Sequence, residues 1–215
     1  MKNNSCLVID YGLGNTFSVI NALKIIGADP ILTSDYEKIK NAERIVLPGV
    51  GAFGNGIEEL NKRKIIHSLS EFISKERPLL GICLGMQLLM DISYEFGEFK
   101  GLGYIKGEVK KINIKDKNSN LIKVPLIGWY KTLVNDSLLS NSSKIMGESI
   151  NFRSFYYVHS YSVLPIKQEN KLAHVEHSSQ KIVAAICDKN IFGVQFHPER
   201  SGKSGLGVLE KFMHL

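Results

Sequence analysis

The first half of the chain repeats one pattern: a short apolar run, a glycine-rich turn, then apolar residues at helical spacing. Residues 6–10 are followed by the glycines of 11–15, and a helical pattern then continues over 17–26. Further apolar runs lie at 29–33, 44–48 and 78–82, and further helical patterns lie at about 56–75 and after residue 83. Alternating strands and helices favour a parallel sheet covered on both faces. We therefore predict an α/β fold with a mostly parallel open sheet flanked by helices.

After Gly97 the pattern changes to short alternating runs separated by Gly, Asn and Lys. These runs are 101–114, 121–134, 152–163, 171–177, 182–188 and 191–196. Such alternation is typical of antiparallel strands, which we expect to extend the sheet in the C-terminal half. The polar stretches 113–123 and 135–144 are predicted loops, too short to link domains, and 203–215 is a predicted terminal helix. We therefore predict a single domain over residues 1–215.

The composition, 44% apolar and 22% charged, excludes intrinsic disorder. The longest apolar stretch, Leu79–Met90, is shorter than the roughly 20 residues that cross a bilayer, and the N-terminus lacks the pattern of a secretory signal. Cys6, Cys83 and Cys187 form neither a disulfide framework nor a CxxC metal pair. We expect a cytoplasmic protein with no membrane segment, no metal and no cofactor.

The net charge of +6 comes from 27 basic and 21 acidic side chains. A basic surface can bind nucleic acid, but the lysines between 100 and 123 lie in strand and turn segments, where charge discourages edge pairing. Only Tyr104 among them could stack on a base. We therefore expect no nucleic-acid partner.

Gly81-Ile82-Cys83-Leu84-Gly85 follows an apolar strand and opens a helix, which is the pattern of a nucleophile elbow with Cys as the nucleophile. Small residues on both sides allow the sharp turn, and a helix N-terminus favours a thiolate. Gly and Cys also occur together where a buried strand simply packs against a helix. These five residues alone leave both interpretations open.

A strand at the other end of the chain ends in His197-Pro198-Glu199. A thiol nucleophile needs a base, and the base needs an orienting acceptor, so His197 and Glu199 could serve Cys83 in these roles. Taken alone, His197 is more often an ordinary histidine at a strand end, and Glu199 is more often a surface charge. The conjunction favours a site, because open α/β sheets place ligands at the carboxyl ends of their strands.

A third glycine-rich turn, Pro48-Gly49-Val50-Gly51, follows the strand at 44–48. Glycines allow backbone N–H groups to approach a ligand closely, so the N–H groups of Val50 and Leu84 are candidates for an oxyanion hole. Turns of this kind are common between strands and helices, and this segment alone is a weak signal.

Five segments taken together resemble the class I (triad) glutamine amidotransferases. They are IDYGLGN at 9–15, LPGVGAF at 47–53, PLLGICLGMQLL at 78–89, YVHSY at 157–161 and NIFGVQFHPERSG at 190–202. The resemblance covers essentially the whole chain, in order. Within this family the chain most resembles the glutaminase subunits of imidazole glycerol phosphate synthase. The resemblance implies the flavodoxin-like variant of the α/β fold.

It also implies that Cys83 attacks the carboxamide of glutamine, that His197 transfers the proton and that Glu199 orients His197. The positions that hold glutamine in the family are matched by Gly51, Gln87, Glu95, Ser160 and Tyr161. The ammonia would pass to a separate (β/α)8 cyclase subunit in histidine biosynthesis, forming a heterodimer. Positions near the docking face of that partner are matched by Asn15, Trp129 and Arg200.

The chain departs from the family at positions near this docking face. The usual Pro-His-Met-Gly-Trp-Asn is Pro125-Leu126-Ile127-Gly128-Trp129-Tyr130 here, and Arg200 replaces the usual Lys. An alternative is therefore the same chemistry supplying a sugar amidotransferase of surface-polysaccharide synthesis. Two further alternatives stay open: a non-catalytic docking subunit with a glutaminase fold, and a free-standing cysteine hydrolase.

Overall fold

The computed structural model describes residues 4–113, 124–135, 141–178 and 180–215, with side chains described outside 141–145. The elements in chain order are β1 (Ser5–Ile9), α1 (Thr16–Ile25), β2 (Asp29–Thr33), α2 (Tyr36–Asn41), β3 (Ile45–Gly49), α3 (Phe53–Lys62), α4 (Ile65–Ile73), β4 (Leu79–Cys83), α5 (Leu84–Leu88), β5 (Ile92–Ser93), β6 (Phe99–Lys100), β7 (Gly107–Lys111), β8 (Leu126–Val134), α6 (Asn141–Ile150), β9 (Ser154–His159), β10 (Tyr161–Pro165), β11 (Lys171–His177), β12 (Gln180–Asp188), β13 (Ile191–Val194) and α7 (Gly202–Met213). Two 3-10 turns lie at Gln168–Asn170 and Pro198–Arg200.

Nine of the described strands form one sheet in the order β2-β1-β3-β4-β13-β12-β11-β8-β9. The pairs from β2 to β13 are parallel, and those from β13 to β9 are antiparallel. Strand β13 therefore joins the two halves of the sheet. The predicted α/β class, a parallel sheet flanked by helices and extended by antiparallel strands in the C-terminal half, is confirmed.

The sheet separates two hydrophobic cores. Along β1, Cys6 and Val8 face one core, whereas Leu7 and Ile9 face the other, as expected from the period of two in a strand. Helices α1, α6 and α7 contribute buried residues to the first core, and α3, α4 and α5 contribute them to the second. The packing on both faces leaves the carboxyl ends of β3, β4 and β13 side by side at one edge.

The prediction that all antiparallel runs extend one sheet is wrong. A second sheet has the order β10-β7-β5-β6, so it includes part of run 101–114 and the end of run 152–163. His159 and Ser162 are both buried, which means that the alternation changes phase at Ser160. At this point the chain leaves the large sheet as β9 and enters the small one as β10.

The predicted helix at about 56–75 is two helices, because Lys64 adopts a left-handed conformation with φ 59° between α3 and α4. Helix α2 was not predicted, although Asp35 caps it by accepting from the Lys38 N–H. The predicted loop 135–144 is wrong where α6 begins; this helix buries Met146 and Ile150. Parts of the predicted loops 113–123 and 135–144, and the start of run 121–134, lie outside the described residues.

The other boundaries of the first half agree with the predictions to within one or two residues. The predicted terminal helix is α7, which ends at Met213. The helix that follows Cys83 is short, since α5 ends at Leu88. Over the part of the chain that the structure describes, no helix combines the length and the apolar character needed to cross a membrane.

Candidate active site

Cys83 is the last residue of β4 and immediately precedes α5, and it has the strained backbone angles φ 55° and ψ −110°. Non-glycine residues adopt positive φ at a cost of order 1–3 kcal/mol, and they do so mostly at functional sites. The glycines on either side are required by close packing. A Cβ on Gly85 would overlap the Leu47 carbonyl, and one on Gly81 would lie 2.7 Å from the Gly85 carbonyl oxygen. The sequence therefore forms the predicted elbow.

His197 follows β13 and lies beside the elbow, and its Nδ1 is 2.8 Å from Glu199 Oε1. Both side chains are buried, at 5% and 1% exposure. The other ring nitrogen, Nε2, and the second Glu199 oxygen are buried without a conventional hydrogen bond among the described residues. The carboxylate thus holds the Nδ1 edge of the imidazole, and the Nε2 edge is available to the nucleophile.

The electrostatics favour a charged imidazole. Burial lowers the pKa of His197, but the nearby Cys83 sulfur and the hydrogen-bonded Glu199 carboxylate, through their negative charges, outweigh this effect and raise the pKa to about 10. The group is therefore an imidazolium at neutral pH when Cys83 is a thiolate. This is the ion pair that a cysteine nucleophile needs, because the thiolate is the reactive form.

A cavity of about 300 Å³ lies over the elbow. Its lining includes nine of the ten residues that were predicted to act in catalysis, in the oxyanion hole or in substrate binding: Val50, Gly51, Cys83, Leu84, Gln87, Glu95, Ser160, Tyr161 and His197. The tenth, Glu199, lies behind His197. In the part of the chain that the structure describes, no three His, Cys, Asp or Glu side chains are grouped so as to hold a metal ion.

The model of the family "Glutamine amidotransferase class-I" matches residues 7–215. The chain belongs to this family. It is therefore an enzyme of the glutamine-hydrolysing class, and the predicted family resemblance is confirmed. The elbow, the histidine and the glutamate described above are the candidate chemical centre of this amidotransferase fold.

Curated relatives align with this amidotransferase over nearly its full length. It is 39% identical to "Imidazole glycerol phosphate synthase subunit HisH 1" of Legionella pneumophila (strain Lens), over 99% of this chain and 100% of the relative. It is 37% identical to "Imidazole glycerol phosphate synthase subunit HisH" of Bacillus subtilis (strain 168), over 95% and 93%. Among solved structures, "Structure of PurLQS from Thermotoga maritima" matches with a TM-score of 0.71 at 21% identity, covering 100% of this chain and 99% of that one. This last likeness shows the shared fold.

The candidate oxyanion segment of the amidotransferase lies beside the elbow because Gly49 pairs with Cys83 in register. Val50 is 41% exposed at the mouth of the cavity, and Gly51 has φ 101°. Beneath the segment, the buried Tyr11 hydroxyl has no hydrogen-bond partner among the described residues, and a Cβ on Gly49 would overlap it. The segment thus has a packed side toward Tyr11 and an open side toward the cavity.

Glu95 combines two features. Its Oε2 accepts from the Phe53 N–H at 2.7 Å and so caps α3, a helix with no capping side chain at Ala52. Burial raises the pKa of Glu95, against the opposing effect of this hydrogen bond. Because the cap uses one oxygen, the carboxylate has a second oxygen for a ligand in the cavity.

Two polar residues of this site escaped the sequence prediction. His159 lines the cavity, its Nδ1 lies 2.8 Å from the Tyr161 carbonyl oxygen, and burial lowers its pKa to about 4. Gln195 is fully buried and lies against Cys83. His159 belongs to the segment YVHSY and Gln195 to the segment NIFGVQFHPERSG. Roles were predicted from the sequence only for neighbouring residues in these segments. The signal for Gln195 was alternation, which puts it on the same side of the strand as His197.

The residues predicted to contact a partner subunit lie on the outer surface at the same edge of the sheet as the cavity. Trp129 is 57% exposed and packs edge-on against Tyr156, with ring centroids 6.2 Å apart. The Arg200 guanidinium lies over the same Tyr156 ring at 4.6 Å. Asn15 caps α1 through Ser18 N–H, and α1 packs against the turn Pro198–Arg200. Trp129, Tyr156 and Arg200 thus form one aromatic and cationic surface cluster.

Proposed function

We propose that this amidotransferase is the cytoplasmic glutaminase subunit of an imidazole glycerol phosphate synthase. It hydrolyses glutamine to glutamate and ammonia, and it supplies the ammonia to a separate (β/α)8 cyclase subunit in histidine biosynthesis. The observation that carries the proposal is the buried Cys83, His197 and Glu199 constellation in a chain whose curated relatives of that name align over nearly their full length. The proposal needs no metal or cofactor.

In the first chemical step, the Cys83 thiolate attacks the side-chain carbonyl carbon of glutamine. The tetrahedral intermediate collapses as the C–N bond breaks, and His197 gives its proton to the leaving nitrogen, so that ammonia departs and a γ-glutamyl thioester forms. Water, deprotonated by His197, then attacks the thioester carbonyl. The C–S bond then breaks and returns the Cys83 thiolate beside the protonated His197, which restores the ion pair. The new carboxyl group releases its remaining proton to solvent, and glutamate leaves. Glu199 keeps Nδ1 protonated and the ring oriented through both steps.

Glutamine would be oriented by the residues that line the cavity. The N–H groups of Val50 and Leu84 are assigned to the oxyanion that develops at the carbonyl oxygen. Glu95 has a carboxylate oxygen for the α-ammonium group. Gly51, Gln87, Ser160 and Tyr161 are assigned to the remaining polar groups of glutamine. These assignments are supported by their common cavity, which also contains the nucleophile.

The docking face for the cyclase is assigned to the cluster of Trp129, Tyr156 and Arg200, with Asn15 at the start of the adjacent helix. Ile127, which replaces the usual Met, is 55% exposed on the same strand as Trp129. The proposed complex is a heterodimer in which the mouth of the cavity faces the partner.

The function is tested by mixing the purified chain with the cyclase subunit of the same organism. We expect glutamine-dependent formation of imidazole glycerol phosphate, with glutamate released in equal amount. Synthesis from ammonium salts but not from glutamine would indicate a non-catalytic docking subunit. If glutamate release is stimulated only by a sugar amidotransferase of polysaccharide synthesis, the assigned partner is wrong. Rapid glutamine hydrolysis by the chain alone, unchanged by any partner, would contradict the subunit role.

A further inference from the structure

Two buried side-chain amides connect a backbone carbonyl to the nucleophilic sulfur. Gln87 Nε2 lies 3.3 Å from the Tyr161 carbonyl oxygen and 3.0 Å from Gln195 Oε1. Gln195 Nε2 lies 3.7 Å from Cys83 Sγ, which is within hydrogen-bond distance for sulfur. Gln195 is fully buried and Gln87 is 5% exposed, so bulk solvent has little access to these contacts.

The Tyr161 carbonyl, at one end of this series of hydrogen bonds, determines the orientation of both amides. A backbone carbonyl is only an acceptor, so the Gln87 atom that faces Tyr161 must be its NH₂ group. The same NH₂ group contacts Gln195, which must therefore present its carbonyl oxygen to Gln87. The NH₂ group of Gln195 then faces the Cys83 sulfur. Gln87 Oε1 has no donor among the residues that the structure describes, so this acceptor can bind a ligand in the cavity that Gln87 lines.

The backbone holds Gln195 rigidly in this position. Its N–H donates to the Ala184 carbonyl at 2.9 Å, across the pairing of β12 and β13. The next side chain, Phe196, points to the opposite side and stacks on Phe155 with centroids 4.0 Å apart. Gln195 and His197 therefore approach the sulfur from the same segment, as an amide donor and an imidazole.

We propose that Gln195 is a further catalytic residue, whose amide N–H stabilises the Cys83 thiolate while its carbonyl fixes Gln87 as an acceptor for glutamine. The proposal rests on the glutaminase function proposed above and adds a residue outside the triad, the oxyanion hole and the assigned substrate contacts. Hydrogen bonds to the charged form of a group favour that form, so loss of this donor makes the thiolate less stable relative to the thiol.

The test is the pH dependence of Cys83 alkylation by iodoacetamide in the full chain, which requires neither partner nor turnover. Gln195→Met has a similar length, removes the donor and adds no charge. Gln195→Glu removes the donor, adds a negative charge and still accepts from Gln87. Asn170→Leu is the matched control, because Asn170 is a buried amide that bonds the Cys187 carbonyl away from the cavity. Cys83→Ser gives the background from Cys6 and Cys187.

We expect the alkylation midpoint of Gln195→Met to move to higher pH by about one unit, a roughly tenfold loss of thiolate at a given pH below the midpoint. The shift is larger for Gln195→Glu, and Asn170→Leu keeps the wild-type midpoint. Glutamine should protect Cys83 in Gln195→Glu at wild-type concentrations, whereas Gln195→Met needs roughly tenfold more because Gln87 is no longer held. A wild-type midpoint in Gln195→Met overturns the proposal.

If neither variant folds, the wild-type protein supplies the answer. The side-chain ¹⁵N and ¹H signals of Gln195, assigned by triple-resonance NMR, are followed through the pH titration of Cys83 and after its alkylation. We expect both to shift strongly, and unchanged signals overturn the proposal. Failure of the proposed glutaminase function would look different, because glutamine would then give no protection in the wild type while the pH profiles still report on Gln195.

Discussion

Two neighbouring turns, at the ends of β3 and β4, carry the candidate chemistry, and they are built in opposite ways. The elbow at Cys83 is packed so closely that a Cβ on Gly85 would overlap the Leu47 carbonyl. The turn after Gly49 is open: Val50 is partly exposed, and a Cβ on Gly51 would meet no atom within 4 Å. The difference teaches that the nucleophile is fixed by packing, whereas the candidate oxyanion donor has room to change its conformation.

The open turn offers a site for control by a partner. We expect the peptide between Gly49 and Val50 to turn over toward the cavity in the active state, and a partner that binds this conformation more tightly would activate the enzyme. Gly49→Val is a poor probe of this movement, because a Cβ there would overlap the Tyr11 hydroxyl and lie 2.9 Å from Leu84 Cβ. Substitutions on the cavity side of the turn test this movement without such an overlap.

The largest expected effect comes from removing the chemistry of the closed turn. Cys83→Ala should lower glutamine hydrolysis by roughly 10³-fold or more, because no other group can form the thioester. Glutamate release in the presence of the partner is the measurement, and synthesis from ammonium salts should be kept. Cys187→Ala is the control, since Cys187 is buried away from the cavity. Wild-type glutamate release by Cys83→Ala would exclude this residue as the nucleophile.

The next effect comes from the open turn. Val50→Pro removes the backbone N–H assigned to the oxyanion, and kcat should fall roughly 10²-fold, as for the loss of one oxyanion donor. Val50→Ala keeps the N–H and should stay close to wild type. Steady-state kinetics of both variants with the partner decide the point, provided that urea unfolding shows both to be folded. Equal kcat values for Val50→Pro and Val50→Ala would remove Val50 from the oxyanion hole.

The difference in packing is measured by making the same substitution, Gly to Ala, in each turn. Gly85→Ala should lower the free energy of unfolding by about 3 kcal/mol or more, because the backbone of β3 must move. Gly51→Ala should lower it by only about 1 kcal/mol, the strain of an Ala at positive φ in open space. Urea unfolding gives both values. Equal losses would show that the two turns are packed alike.

The last effect is the dependence of stability on pH. The pKa of His197 is raised to about 10, so its contribution is complete below about pH 6.5 and is lost as the pH rises toward 10. The pKa of His159 is lowered to about 4, so its contribution is complete above about pH 6.5 and is lost as the pH falls toward 4. Each slope is at most about 1.4 kcal/mol per pH unit.

Urea unfolding at a series of pH values measures these slopes. His197→Ala should flatten the alkaline side of the profile, and His159→Asn should flatten the acid side. The electrostatic account of the ion pair would be contradicted if His197→Ala kept the full alkaline slope.

Most of the parallel half of the fold could be predicted from the sequence, because β1, β3 and β4 are local apolar runs with glycine at their end or within the next three residues. The elbow followed for the same reason: Gly81, Cys83 and Gly85 are adjacent in the chain. The split of run 152–163 between two sheets could not be predicted from alternation alone, since only tertiary packing buries both His159 and Ser162. The amide contact of Gln195 was missed because it joins residues distant in sequence.

The central claim, that Cys83 is the nucleophile toward glutamine, is tested most directly by mass spectrometry of the chain after reaction with a glutamine-derived diazo ketone. The adduct should lie on Cys83. Burial raises the pKa values of Cys6 and Cys187 to about 12, so both should stay unlabelled. An adduct on Cys6 or Cys187, or equal labelling of all three cysteines, would contradict the account.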